Sequence, residues 1–149
     1  MPEIKKILFP MDFSETTNEV LDYALSMAET YGAKLEVLHV VHELVNMTGF
    51  YIPHVSFDLI ENDMENVAIK HMEDYCAKNM KGKVDFEIHT RRGVPYDEII
   101  KAAKELSVDF IVMGTHGATG LDHFMFGSNA EKVVRMSPVP VLTVRAEKN

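Results

Sequence analysis

Five short apolar runs, each separated from the next by a stretch of helical spacing, constrain this chain more than any other feature. They are KKILFPM at 5–11, AKLEVLHVV at 33–41, KVDFEIHT at 83–90, VDFIVMG at 108–114 and VPVLTVR at 139–145. The first, second and fourth are too uniformly apolar to have a wet face, which is how strands covered on both sides read. The third alternates Val84, Phe86 and Ile88 with polar residues, the pattern of a half-exposed strand near a sheet edge. Between the runs, Val20, Leu21, Ala24, Leu25 and Ala28 recur at helical spacing over 15–31, with Ser14 as the expected N-cap and Gly32 placed for a left-handed C-cap. Phe57, Ile60, Met64, Val67, Met72 and Tyr75 are expected to keep an apolar face over 57–80. Pro95 suits the first turn of a helix running to Leu106, with Asp97 and Glu98 at its positive end, and a last helix is expected over 128–136. Strands separated by helices need right-handed crossovers, which place helices on both faces of a parallel sheet. The expected class is a doubly wound α/β fold.

At 149 residues the chain suits one domain spanning 1–149. No apolar run approaches the roughly 18–20 residues of a membrane span. The N-terminal MPEIKKILFPMDFSE turns acidic too soon for a secretory signal, so a cytoplasmic location is expected. The single cysteine, Cys76, falls among apolar neighbours on a helical pattern and reads as a buried, inert thiol. A net charge of −8 argues against a nonspecific grip on nucleic acid, so any phosphate must be held locally.

The local device is GTHGATGLDHFMFGSNA at 114–130, which leaves the carboxyl end of the fourth strand. In doubly wound sheets ligands bind beyond such ends. Glycine-rich turns let backbone amides approach a phosphate, and a helix starting near Ser128 adds free N–H groups and a positive dipole end. Two common nucleotide signatures do not apply. Gly127 is followed by Ser128 and Asn129 without the lysine of a P-loop, and 114–120 reads G-x-x-G-x-x-G after the fourth strand rather than G-x-G-x-x-G after the first.

The spacing of Gly114, Gly117, Gly127 and Ser128 resembles the glycine motif of ATP-binding universal stress proteins, and ILFPMDFSE, VDFIVMGTHG and SPVPVLTVR resemble that family's first, fourth and last strands. The resemblance implies strand order 3-2-1-4-5, which sets the ends of strands one and four side by side. It implies ATP as the ligand, with Mg2+ as a companion, and a homodimer through the C-terminal strand. Asp12 would hydrogen-bond the ribose, Pro10 and Val40 would border the adenine, and Met113 would line the base pocket. The phosphates would lie against Gly114, Thr115, His116, Gly117, Ala118, Thr119 and Gly120, then Gly127, Ser128, Asn129 and Ala130, with the Ser128 hydroxyl donating directly.

Plainer readings stand beside these. Asp12 also suits the cap of the following helix. His116 and His123 lack companions at zinc spacing, so a metal site is disfavoured. His39 and His42 would face opposite sides of a strand. Arg91 and Arg92 read as a solvated basic pair, with an anionic ligand the alternative. Leu121, Phe124, Met125 and Phe126 make the loop apolar enough to pack on the domain or a partner. Lys132 and Arg135 follow on the last helix. Because the loop supplies no cation, the expectation is a regulatory nucleotide-binding protein with at most slow ATPase activity. An interaction protein of the same fold and a nucleotidyl-transfer enzyme of a related fold are the alternatives.

Overall fold

The computed structural model describes residues 1–41, 54–115 and 127–146, with backbone alone for 54–59 and 61. The elements run β1 (Lys6–Pro10), α1 (Thr17–Tyr31), β2 (Lys34–Val41), α2 (His54–Asn79), β3 (Phe86–Arg92), α3 (Pro95–Glu105), β4 (Phe110–Gly114), α4 (Ser128–Met136) and β5 (Val141–Val144). All strand pairs are parallel and the order is β3-β2-β1-β4-β5. The expected doubly wound sheet and its order are therefore observed.

Alternation along the strands divides the core into two layers. Ile7, Phe9, Leu35, Val37 and Val112 meet Val20, Leu21, Ala24 and Ala28 of α1 and Met72, Cys76 and Met80 beside them. Leu8, Leu38, Val40, Ile111 and Met113 meet Ile99, Ala102 and Ala103 of α3 and Ala130 and Val133 of α4 on the other face. Consecutive residues of β1 thus serve opposite layers, which is why KKILFPM shows no polar alternation. Cys76 is buried as expected, and that burial pushes its thiol up to about 11.

Three boundaries differ from expectation for identifiable reasons. Ser14 is not the N-cap of α1; Thr16 is, and it makes no side-chain capping bond. The Ser14 hydroxyl is instead shared with those of Thr16 and Thr17, at 3.1 and 3.4 Å, and the Ser14 N–H donates to Asp12 Oδ1 at 3.0 Å. β3 starts at Phe86, because the chain after α2 turns through Gly82 at φ +83 before extending. β5 is confined to Val141–Val144, since Ser137 Oγ donates to Val139 O and accepts from Val139 N in a local turn before Pro140.

Gly32 closes α1 in the left-handed region, φ 64, as its place in the sequence suggested. A methyl group there would meet nothing within 4 Å. The cost of Gly32→Ala is therefore conformational, about 1 kcal/mol. Urea denaturation should show that loss as a lower midpoint at an unchanged slope; an unmoved midpoint would mean that the cap contributes nothing.

Candidate functional site

The site begins where pairing stops. β1 and β4 pair at Ile7 with Phe110 and at Leu8 with Ile111. β1 continues along β2 to Pro10 opposite Leu38, and Met11 N–H then donates to Leu38 O at 2.8 Å. β4 continues along β5 to Gly114 opposite Val144, followed by Thr115 N–H donating to Val144 O at 3.0 Å. Each strand thus follows its outer neighbour and a crevice opens between them, at the switch point of the doubly wound order. Pro10 fits this geometry. Successive N–H groups alternate sides, and since that of Met11 faces β2, the donor Pro10 lacks would have faced the opening crevice.

The crevice encloses about 330 Å³, within the usual range for small-molecule sites. Its floor is apolar, from Phe9, Leu38, Val40, Ile99 and Met113, and its rim carries Asp12, Ser14, Thr16, Thr17, Gly114, Thr115, Gly127 and Asn129. Nine of the expected site residues meet here: Pro10, Asp12, Val40, Met113, Gly114, Thr115, Gly127, Asn129 and Ala130. Ser128 does not line the crevice and is exposed, so the geometry does not place its hydroxyl there. His116, Gly117, Ala118, Thr119, Gly120, Leu121, His123, Phe124, Met125 and Phe126 lie outside the described residues, as does His42.

The N-termini of three helices reach this rim, through Thr16 and Thr17 of α1, Pro95 of α3 and Asn129 of α4. None of the three has a side-chain capping bond. The positive dipole ends of these helices lie at one crevice, a favourable setting for an anion, although Pro95 has no N–H and the Thr17 N–H already donates to Ser14 O at 3.1 Å. At α4 the chain is drawn to the rim by Gly127, whose N–H donates to Thr115 O at 2.8 Å. Asn129, two residues on, has its Oδ1 buried without a hydrogen-bond partner. A ligand donor would satisfy it, and a half-turn of the amide would offer Nδ2 to an acceptor instead.

The basic side chains named above are engaged elsewhere. Arg91 meets Glu105 at 2.5 Å and Glu98 at 3.9 Å, and Arg92 meets Glu65 at 2.7 Å and also Asn62. With side chains only 24 and 30% exposed, they are structural ion pairs rather than the expected solvated pair. Lys132 lies 4.6 Å above the Tyr96 ring, and Arg135 pairs with Glu131 at 2.9 Å. Among the described residues that line the crevice there is neither lysine nor arginine.

A family model described as the universal stress protein family matches residues 3–145. The chain belongs to that family. The universal stress protein YxiE of Bacillus subtilis is 36% identical over 145 residues, covering 94% of this chain and 98% of its own. Universal stress protein MJ0577 of Methanocaldococcus jannaschii is 29% identical, with 97% of each chain covered. The solved structure of MJ0577 superposes with a TM-score of 0.86 over 99% of this chain and 100% of its own. At 21% identity and a TM-score of 0.64, the Archaeoglobus fulgidus universal stress protein in complex with dAMP shares the fold over 97% of this chain and 100% of its own.

Two parts of the site escaped the sequence reading. Ser14, Thr16 and Thr17 follow Asp12 closely, and a hydroxyl cluster at the start of a helix was the available signal. Pro95 and Ile99 belong to the helix after the edge strand, and nothing local announces that this helix reaches the crevice. The unpartnered Asn129 oxygen generates a prediction. Asn129→Leu removes a buried, unsatisfied acceptor, so the ligand-free universal stress protein should become more stable by about 1 kcal/mol. Thermal unfolding measures this, and a loss of comparable size would show that the amide is already bonded within the protein.

Proposed function

We propose that this universal stress protein binds ATP in the crevice between β1 and β4 and acts as a nucleotide-dependent regulator with at most slow ATP turnover. One observation carries the reading. The crevice has an apolar floor for a base, a carboxylate on one lip at Asp12, and on the other lip Gly114 and Gly127, the two ends of a glycine-rich segment, beside an uncapped helix start. Gly117 belongs to the same spacing and would bring its backbone to the phosphates. The Archaeoglobus fulgidus protein, which shares the fold, is in complex with dAMP; carrying an adenine nucleotide over to this chain is our step. Affinity would come from amides and helix dipoles, and Mg2+ would offset phosphate charge that no described cation on the rim meets. Rapid phosphoryl transfer needs fixed positive charge at the phosphates, which is why turnover is read as slow.

Protein purified without added ligand, then denatured and assayed by chromatography, should release an adenine nucleotide. In calorimetry, Gly117→Val should weaken ATP binding more than the roughly ten- to hundredfold expected for one lost charge-assisted bond, while circular dichroism stays unchanged. A folded Gly117→Val protein that binds ATP within threefold of wild type would sink the assignment.

We also infer a homodimer through β5. That strand is an edge of the sheet, Val141 and Leu142 are only partly covered, and Val134 and Met136 of α4 are exposed. An uncovered apolar edge strand recruits another strand, and a two-fold axis closes the pair. Sedimentation at tens of micromolar should give twice the chain mass, and a monomer would overturn the inference.

A further inference from the structure

We propose that Phe13 and His39 form an aromatic brace that sets the position of Asp12 at the crevice and links it, through His71, to helix α2. The proposal rests on the reading of the crevice as a nucleotide site with Asp12 at the ribose.

The starting observation is backbone strain. Phe13 has φ 59, in the left-handed region that bulky side chains avoid and that glycine or asparagine would occupy at little cost. Strain of this kind persists only where the surroundings over-determine it. Among the described residues, two rings lie against that of Phe13, which is 38% exposed. The Phe13 ring lies 4.8 Å from that of His39, tilted at 53°, and 5.8 Å from that of His71 at 81°, the latter an edge-to-face arrangement that aromatic quadrupoles favour. His39 is itself anchored, its Nδ1 donating to the Met11 carbonyl at 2.8 Å.

The chain on both sides of Asp12 is therefore held. Before it, Met11 is fixed to β2 by its N–H on Leu38 O and by its carbonyl on His39. After it, the Phe13 ring packs on those of His39 and His71. The left-handed turn lets Asp12 and Ser14 line the crevice while Phe13 does not. Asp12 Oδ1 accepts from Ser14 N–H, leaving its second oxygen for a ligand. A glycine at position 13 would allow the same turn, but nothing would hold it against β2 and α2. The phenylalanine exchanges backbone ease for positional definition. These are positioning residues, acting on the ligand through Asp12.

The test separates positioning from packing. Phe13→Gly and Phe13→Asn both tolerate the left-handed turn and lack the ring. Calorimetry should show ATP bound about tenfold more weakly by each, and the preference for ATP over 2′-deoxy-ATP should fall to the level of Asp12→Ala, with the thermal midpoint not lowered. Ribose discrimination is the deciding readout because a general loss of stability leaves it unchanged. His39→Ala should reproduce the loss, and His39→Asn, which keeps an N–H for the Met11 carbonyl but no imidazole ring, should recover part of it. If wild type discriminates the ribose and both Phe13 variants discriminate equally well, the brace is wrong and the nucleotide site stands. If wild type binds ATP but Asp12→Ala leaves discrimination intact, Asp12 does not contact the ribose and the brace has no function. If wild type binds no nucleotide, the site reading fails and the brace fails with it.

Discussion

Hydrogen bonding between β1 and β4 ends after Leu8 and Ile111, and most of what distinguishes this molecule follows from that early stop. In the observed order, the sheet is wound outward from β1 toward β3 and outward from β4 toward β5. Right-handed crossovers then send the two connections leaving β1 and β4 to opposite faces, so the chain must part between these strands. The parting exposes polar backbone beside an apolar floor. Pro10 reduces the exposed backbone by one donor, and the starts of α1, α3 and α4 lie along the crevice. A crevice with an apolar floor and a polar rim is thus a by-product of how the sheet is wound.

Charge is managed differently at the two ends of the sheet. At the amino ends of the strands, polar groups satisfy one another. Glu36 is only 1% exposed yet lies 2.7 Å from His89 Nε2 and 3.4 Å from the Lys34 ammonium. That ammonium also meets Glu87 at 2.6 Å, and the hydrogen bond holds the Glu87 carboxyl below its ordinary range. Glu36, Glu87 and His89 have the donor atoms of a cation site, but Lys34 already contributes positive charge there. Asp109 accepts from the Lys5 and Lys6 N–H groups, and the Lys6 ammonium donates to Leu106 O. At the carboxyl ends the rim has uncapped helix starts and an unpartnered amide oxygen. A buried polar atom left unmatched costs stability, and among the described residues the Asn129 Oδ1 at the crevice is such an atom.

The fold was legible because its signals are additive. A buried strand declares itself through every residue, and Gly32, Pro95 and the Ser128 helix start each mark a boundary by chemistry at that position. Part of the crevice was legible too, Gly114 and Gly127 as parts of a glycine-rich segment after a strand, Pro10 and Asp12 through the likeness to the universal stress proteins. The rest depends on contacts distant in sequence. Arg91 and Arg92 look solvated until Glu105 and Glu65 are brought beside them by α3 and α2. Lys132 has no readable direction on the last helix until Tyr96 is found beneath it. Ser14 looks like a cap because short hydroxyl residues usually are, and only the neighbouring hydroxyls and the Asp12 carboxylate show why it is engaged otherwise.

Phe13 is the extreme case of this illegibility. Propensity arguments look for left-handed turns at glycine and asparagine, so a phenylalanine conceals one completely. Yet the concealed turn decides what Asp12 can do. In an ordinary extended run Asp12 and Phe13 would face opposite sides, with Ser14 returning to the side of Asp12 only at strand spacing. With φ 59 at Phe13 the chain folds back tightly enough for Asp12 Oδ1 to accept the Ser14 N–H, and both residues line one wall. The cost of the turn, about 1–2 kcal/mol for a non-glycine residue, falls on the fold, whereas the benefit is confined to the crevice. Strain and the crevice wall are thereby placed within one residue of each other.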